Sequence, residues 1–280
     1  MKPLNETRCE LGEGAFWHPE RAEFFWFDII GRKLHSLAHT WAFDEMVSAA
    51  GWLDASRLLV ASEIRLFVLD LDTGAQHSLC PLEADQIGNR SNDGRADPQG
   101  GFWIGTMGKQ AARGAGAIWR WWRGELRCLY PGLSIPNAIC FAPDGRSACF
   151  TDTVTRRVMR VGLDASGWPK GTPECWLDLN ADGLNPDGAV IDTDGNMWLA
   201  QWGAARVACY APDGALLQTV AVPAAHASCP AFGGPDLRSL YCTTARQGLN
   251  QPGPLDGATF MAPAPARGQA EHRVLLDDGT

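Results

Sequence analysis

Short apolar segments separated by turn residues recur along the whole chain, and no stretch carries a helical period over the length of a helix. Six of these segments share one form, a tight turn followed by an apolar strand. They are HPERAEFFWFDI, LDASRLLVASE, DPQGGFWIGTM, APDGRSACFTDT, DTDGNMWLAQW and GPDLRSLYCTTA. A second short strand follows each of them, so the pattern predicts antiparallel meanders of short strands.

The spacing of these units predicts how the meanders are arranged. Their turns match at Arg21, Ser56, Gly100, Gly145, Gly195 and Leu237, which gives steps of 35, 44, 45, 50 and 42 residues. Repeated sheet units of about 40–45 residues are typical of β-propellers, which leave only short edges by arranging their sheets radially. We therefore predict an all-β fold, a six-bladed β-propeller forming a single domain over residues 1–280. The N-terminal strand, around residues 7–11, is expected to close the last blade.

Polar residues occupy one position of this repeat, eight residues before each turn. The six residues at that position are Glu13, Ser48, Asn92, Asn137, Asp187 and Cys229. The first strand of each propeller blade lines the central channel, so these side chains are expected to converge at one end of it. The alternative is that short polar residues at these points simply form turns between strands.

Four of the six side chains offer oxygen ligands, and no lysine or arginine shares their repeat position. Two converging carboxylates repel each other, and a hard divalent cation would neutralise them. A cation with only three or four protein ligands keeps open coordination positions, which is typical of a catalytic site. The sequence therefore predicts one divalent metal in the central channel. Ser48 and Cys229 are expected to line that channel without binding the metal.

Charge and cysteine usage narrow the function. The net charge of −8 argues against nucleic acid and against anionic membrane surfaces. Nine scattered cysteines without a C-x-x-C pair indicate neither a zinc site nor a disulfide framework. The N-terminus lacks the apolar stretch of a secretion signal, and no apolar run approaches ~20 residues. We expect a cytoplasmic protein; the sequence identifies no protein partner.

Five motifs occur in an order that is specific to one family. They are LGEGAFW (11–17), NRSNDGRADPQGGFWIGTM (89–107), IPNAICFAPDG (135–145), PDGAVIDTDGNMWLAQW (186–202) and FGGPDLRSLYCTTAR (232–246). With them, the chain resembles the senescence marker protein/gluconolactonase (regucalcin-like) family over essentially its whole length, and most of all its bacterial sugar-acid lactonases. The resemblance implies a six-bladed propeller, one divalent metal and hydrolysis of a sugar lactone.

The resemblance also assigns roles to residues. It implies metal ligands at Glu13, Asn137 and Asp187, and contacts with the substrate hydroxyls at Arg90 and Asn92. For Arg90 the residues leave an alternative, a salt bridge to Asp93 or Asp97. Some relatives carry an acidic substrate contact in the loop that corresponds to residues 108–119. That loop has Lys109 and Arg113 but no acid here, so substrate preference does not transfer.

The predicted reaction is hydrolysis of an aldonolactone, such as a xylono-, arabinono- or gluconolactone, to the aldonic acid. The metal polarises the lactone carbonyl, water attacks it, and Asp187 accepts the proton as general base. A serine triad is not indicated, because no G-x-S-x-G motif occurs. Two alternatives remain open, another metal-dependent esterase or phosphotriesterase on this scaffold, and a calcium-binding propeller without catalysis. The sugar and the metal (Ca, Mg, Mn, Zn or Fe) are also left open.

Overall fold

The chain forms an all-β structure in a computed structural model that describes residues 1–276. Within that range the only helical element is a single 3-10 turn, Thr153–Thr155, and no helix is long and apolar enough to cross a membrane. All strand pairs are antiparallel. The prediction of an all-β fold built from antiparallel meanders is confirmed.

The strands are short and evenly distributed along the described chain. In chain order the first half comprises β1 (Lys2–Pro3), β2 (Gly12–His18), β3 (Glu23–Asp28), β4 (Lys33–Ser36), β5 (Thr40–Ala42), β6 (Val47–Trp52), β7 (Arg57–Ser62), β8 (Arg65–Asp70), β9 (Gln76–Pro81), β10 (Asn89–Ala96), β11 (Phe102–Gly108), β12 (Gly116–Trp122) and β13 (Glu125–Leu133). The second half comprises β14 (Pro136–Phe141), β15 (Ser147–Asp152), β16 (Arg157–Leu163), β17 (Pro169–Asp178), β18 (Asn185–Ile191), β19 (Met197–Trp202), β20 (Arg206–Tyr210), β21 (Leu216–Ala221), β22 (His226–Gly233), β23 (Ser239–Ala245) and β24 (Phe260–Pro263).

Consecutive strands pair into four-stranded sheets. Strands β2–β5, β6–β9, β10–β13 and β14–β17 form four separate sheets. The remaining strands form one larger sheet, in which β18–β21 and the set β22–β23–β24–β1 are joined through a single residue pair, Trp202 and His226. The six predicted turn-and-strand segments form the second strands of these six sets, and the strands predicted to follow them form the third strands.

Burial decreases from the first strand of each set to the last. Strands β10 and β14 are buried at every residue, whereas β9, β13, β17 and β21 are largely exposed. The first strands are rich in small and apolar residues, and several also bury polar side chains, such as Asn92 and Arg95 of β10. The first strands therefore lie inside the molecule, and the fourth strands lie at its outer surface.

Apolar side chains fill the spaces between successive sheets. Each core cluster joins one set of strands to the next, as where Phe16 and Phe25 pack with Val60 and Phe67. A further cluster joins the first set to the last, with Trp26 of β3 packed near Tyr241 of β23. Because the last set packs against the first, the sheets follow one another around a closed ring, which is consistent with a β-propeller.

The two chain termini contact several sheets. Strand β1 pairs with β24, so the N-terminal pairing lies at Lys2–Pro3 rather than at residues 7–11, where Leu11 forms only an isolated bridge with Ala245. Near the other terminus, residues 267–275, which we call the C-terminal strap, run across the ends of the first strands. The strap hydrogen-bonds to backbone atoms of five sets of strands, at Trp52, Gly100, Phe141, Ile191, Thr193 and Leu237.

Candidate active site

A cavity of about 380 Å³ opens at the end of the first strands opposite the strap. The polar side chains predicted from the sequence all line it, namely Glu13, Arg90, Asn92, Asn137 and Asp187. They come from four different sets of strands, on β2, β10, β14 and β18. Apolar and amide side chains complete the wall, among them Leu11, Met107, Ile135, Trp202 and Gln247.

An irregularity in each first strand positions these side chains. The pairing register of every first strand shifts at the repeat position, for example between Glu13 and Phe16 and between Asn137 and Cys140. Such a β-bulge bends the strand locally and redirects a side chain. The same feature recurs in all six sets, so the polar positions face one end of the ring.

The glycine after each site carboxylate is required by close packing between neighbouring first strands. Gly14 has a φ of 55°, and a Cβ on it would lie 2.1 Å from the carbonyl oxygen of Ser48. A Cβ on Gly188 would lie 2.8 Å from the carbonyl oxygen of Ser228. A side chain at either position would push the adjacent strand away. These contacts explain the sequences GEG and PDG, in which a carboxylate is followed by a residue without a side chain.

The two remaining repeat positions are bonded within the protein. The Ser48 hydroxyl donates a hydrogen bond to the Ser91 hydroxyl at 2.7 Å, and both residues are buried. The Cys229 thiol is buried and donates to the carbonyl of Pro230. Neither side chain is among those that line the cavity in the part of the chain described. Ser48 and Cys229 were expected to line the channel, but they do not line this cavity.

Asn92 and Asn137 belong to a continuous chain of hydrogen bonds along the cavity wall. An Nη1 hydrogen of Arg90 binds Asn92 Oδ1 at 2.7 Å, and Asn92 Nδ2 donates to Asn137 Oδ1 at 3.0 Å. Asn137 Nδ2 in turn donates to Thr153 Oγ1 at 3.0 Å. The Thr153 hydroxyl donates to the carbonyl of Pro186 at 2.8 Å. The chain therefore runs from a guanidinium to the residue that precedes Asp187.

The alternative interpretation of Arg90 as a salt-bridge partner is wrong. Its guanidinium donates to Asn92 and to the carbonyl of Ser91. Asp97 pairs instead with Arg120, and both of these side chains are fully buried. Burial lowers the pKa of Arg90 to about 10. The negative charges of Glu13 and Asp187 act in the other direction and raise this pKa, because they favour the cationic form.

The two site carboxyl groups are both buried, and among the described residues no lysine or arginine forms an ion pair with either. Burial raises the pKa of Glu13 to about 8, and the charge of Asp93 adds to the effect. Burial also raises the pKa of Asp187 well above its usual range, and the charge of Glu13 is the next cause. No ion pair within residues 1–276 involves either side chain. Burial therefore favours the neutral form of both acids, and among the described residues no lysine or arginine pairs with them to offset their charge when they ionise.

Sequence reasoning missed two polar residues that belong to this region. Asp93 is fully buried beside the site; burial raises its pKa to about 6, and its carboxylate accepts a hydrogen bond from the Ile139 amide at 2.7 Å. Its position next to Asn92 in the sequence was the only available indication. Thr153 lines the cavity at the start of the 3-10 turn, and its position carries no repeat or spacing that would have identified it.

The loop at the cavity mouth brings less positive charge than its sequence suggested. Lys109 lies in the cavity wall, but its ammonium group pairs with Glu63 and donates to the carbonyl of Ile87. Arg113 is exposed on the loop surface. The ammonium charge is therefore offset at the cavity by a neighbouring carboxylate.

The oxygen donors at the cavity have the chemistry that a divalent cation requires. No group of three or more His, Cys, Asp or Glu side chains within residues 1–276 forms a metal cluster. The oxygen donors proposed here do not form such a group, because only two of them, Glu13 and Asp187, are carboxylates and the third is the amide of Asn137. Two carboxylates and one amide oxygen at an open cavity are hard ligands that suit a cation which keeps exchangeable positions. The residues present fit such an ion.

The likeness to known proteins extends over the full chain. This chain is 41% identical to a provisionally named sugar lactone lactonase of Rhizobium meliloti (strain 1021), over 98% of this chain and 97% of that one. It is 34% identical to the L-arabinolactonase of Azospirillum brasilense, over 96% and 94% of the two chains. Among solved structures, a calcium-binding protein, regucalcin, from Agrobacterium tumefaciens superposes with a TM-score of 0.96 at 39% identity, covering 98% and 97%.

Residues 11–246 match the family described as the SMP-30/Gluconolactonase/LRE-like region. This range contains every residue that the sequence proposed for the site, and the resemblance drawn from the five motifs is confirmed. The fold agrees with that assignment, since the sheets of the Agrobacterium tumefaciens protein superpose along nearly the whole chain. The chain therefore belongs to the SMP-30/gluconolactonase/LRE-like family.

Proposed function

We propose that this protein is a lactonase that hydrolyses a sugar lactone to its aldonic acid with one divalent cation held by Glu13, Asn137 and Asp187. The observation that carries the proposal is the cavity in which two buried carboxylates, without an ion-pair partner among the described residues, meet an amide oxygen and a guanidinium. The names of the relatives, which include an L-arabinolactonase and a pentonolactonase, support the reaction class.

We also propose that the architecture is a six-bladed β-propeller that forms one domain over residues 1–280. Six sets of four strands, each packed on the next, support the number of blades. The single residue pair that joins two of these sets does not make them one blade, because each has its own four strands. Pairing of β1 with β24 supports closure of the ring by the N-terminal strand.

A divalent cation in this site would supply Lewis-acid polarisation of the lactone carbonyl and would offset the charge of the buried carboxylates. It fits the donor set, since cation binding removes the repulsion between Glu13 and Asp187 that burial makes costly. The Agrobacterium tumefaciens protein is described as calcium-binding, and its similarity to this chain supports a divalent ion in the site.

The protein's own groups supply the proton transfer and the orientation. Asp187 accepts a proton from the attacking water while the water oxygen bonds to the lactone carbonyl carbon. The ring C–O bond then breaks, and the same carboxyl group returns the proton to the departing ring oxygen. Arg90 uses its Nη1 hydrogens on Asn92 and on the carbonyl of Ser91, so its guanidinium retains further donors that orient hydroxyl groups of the sugar.

One experiment tests the proposal and its two rivals. Protein stripped by a chelator is assayed on a panel of pentono- and hexonolactones, γ and δ, with each divalent cation restored in turn. Lactone hydrolysis that requires a restored cation, and that Glu13→Ala abolishes, is expected. The matched control is Asp178→Asn, which removes a carboxylate charge at an exposed ion pair with Arg157.

The rivals predict different results on the same samples. A phosphotriesterase would hydrolyse an organophosphate ester faster than every lactone. A calcium-binding propeller without catalysis would bind the cation and turn over neither class. Full lactonase activity in the stripped protein would overturn the role of the cation.

A further inference from the structure

Thr153 lies between two of the proposed cation ligands without being one of them. It follows β15 as the first residue of the 3-10 turn, and its side chain lines the cavity. Its hydroxyl contacts the amide of Asn137 and the carbonyl of Pro186, the residue before Asp187. The two ligands are thus connected through one hydroxyl group.

The hydroxyl has one hydrogen, and the Pro186 carbonyl takes it. A carbonyl oxygen can only accept, so the hydrogen bond of 2.8 Å between Thr153 and Pro186 must be donated by the threonine. The threonine oxygen then has only lone pairs to offer to Asn137. Because a lone pair requires a donor, the amide NH₂ of Asn137 must face Thr153.

The opposite end of the chain imposes the same direction. Arg90 has N–H donors and no acceptor, so the atom of Asn92 that it meets must be Oδ1. The NH₂ group of Asn92 is therefore left to donate to Asn137 Oδ1. An obligate donor and an obligate acceptor terminate the chain, and every amide between them has one allowed orientation.

This orientation decides what Asn137 presents to the cavity. An asparagine amide has an oxygen and a nitrogen of similar shape, and rotation by half a turn exchanges them. Only the oxygen can coordinate a cation. With its NH₂ held by Thr153, the oxygen retains a lone pair beyond the one used by Asn92, and Asn137 lines the same cavity as Glu13 and Asp187.

We infer that Thr153 is a positioning residue, whose hydroxyl fixes the Asn137 amide with its oxygen towards the cation. The inference rests on the proposed cation set. It assigns to Thr153 a contribution to cation affinity, made through the amide and without contact with the substrate.

A purely structural role for Thr153 would act through different atoms. The backbone of the turn uses its N–H, bonded to the carbonyl of Ile135, and its carbonyl, bonded to the N–H of Arg156. Thr153→Val retains both bonds, the β-branched shape and nearly the same volume. Thr155 provides the matched control, because its hydroxyl donates to the carbonyl of Asp152 in the same turn, and it is not among the cavity-lining residues described.

The test measures by calorimetry the Kd of the divalent cation that the wild-type protein binds most tightly, with thermal unfolding as a check on folding. Outer residues that orient metal ligands typically contribute a factor of 10–100 to affinity. We expect Thr153→Val to weaken binding by about tenfold, at the lower end of that range. Thr153→Ser and Thr155→Val should bind nearly as the wild type does.

A double variant separates orientation from general damage. In Asn137→Asp both side-chain atoms are oxygens, so no orientation has to be selected. Adding Thr153→Val to Asn137→Asp should therefore lower affinity by much less than tenfold. An equal loss in both backgrounds, or an equal loss from Thr155→Val, would overturn the inference.

The inference and the proposed reaction fail separately. Cation affinity that depends on Thr153 in a protein that hydrolyses no lactone would support the positioning role and refute the lactonase. Cation-dependent lactone hydrolysis with an unchanged Kd in Thr153→Val would refute the positioning role alone. A wild-type protein that binds no divalent cation would refute the inference together with its premise.

Discussion

Glu13→Gln is expected to stabilise the cation-free protein while it weakens cation binding. The Glu13 side chain is fully buried, and burial raises its pKa from an ordinary 4.5 to about 8. At neutral pH the carboxyl group is ionised in the unfolded chain and protonated in the cation-free fold, so folding must take up a proton. Glutamine is neutral and nearly isosteric, and it removes this requirement.

The size of the effect follows from the two pKa values. At pH 7 an ordinary carboxyl group lies 2.5 units above a pKa of 4.5, and each unit corresponds to about 1.4 kcal/mol. Folding of the cation-free wild type is therefore opposed by about 3 kcal/mol at this residue. For a chain of 280 residues this corresponds to a Tm higher by about 5 °C in the variant.

The change in stability with pH tests the direction of this effect. A raised pKa in the fold means that the stability contribution is complete below pH 4.5 and is lost as the pH rises towards 8. Chelated wild-type protein should therefore lose Tm over this range, and Glu13→Gln should lose less. Asp28→Asn is the opposite control, because three backbone N–H groups donate to that carboxylate and the variant should be less stable.

Thermal unfolding of both proteins from pH 5 to 8, with chelator and with saturating cation, measures these differences. A cation concentration that saturates the wild type should raise the Tm of the wild type and raise that of Glu13→Gln less. The reasoning is refuted if chelated Glu13→Gln is less stable than the wild type at pH 7.5 or has the same slope with pH.

Three further outcomes are expected. Asp187→Asn should still bind cation, less tightly, while kcat falls by roughly 10²–10⁴-fold, and near wild-type turnover at full occupancy would exclude this residue as the base. Asn92→Ala should raise KM and also weaken cation binding in calorimetry, because Asn92 donates to the amide oxygen of a proposed ligand; unchanged cation affinity would contradict this. Glu271→Ala should lower the free energy of unfolding by about 3–5 kcal/mol, since it leaves Arg95 buried without its partner, whereas Glu125→Ala at a half-exposed ion pair should change it little in denaturant titrations.

The strands and their order were predictable because turns and apolar runs are local properties. The repeat position was also accessible, since a fixed offset from each turn selected Glu13, Asn137 and Asp187 before any contact was known. What the offset does not report is burial or hydrogen-bond direction. Asp93 and Thr153 occupy no repeated position, and their importance depends on neighbours more than thirty residues away along the chain in the fold.

The irregular parts of the chain were the least predictable. The C-terminal strap has no apolar alternation, and it contacts distant sheets through backbone hydrogen bonds and through scattered polar side chains such as Gln269 and Glu271, so no regular pattern marks it in the sequence. The N-terminal strand was expected around residues 7–11, but pairing with β24 is made by Lys2 and Pro3. Two residues with a proline are too short and too polar to be distinguished from a loop.

The C-terminal strap has a consequence for the route by which substrate enters and product leaves. Beneath the site, Glu271 of the strap pairs with Arg95, and Gln269 binds the carbonyls of Phe141 and Ile191, so the end of the ring away from the cavity is covered. In the proposed reaction, the aldonate must leave through the mouth by which the lactone enters, past Lys109 and its loop. Substrate and product then share one passage, so the aldonate must clear the mouth before the next lactone can enter.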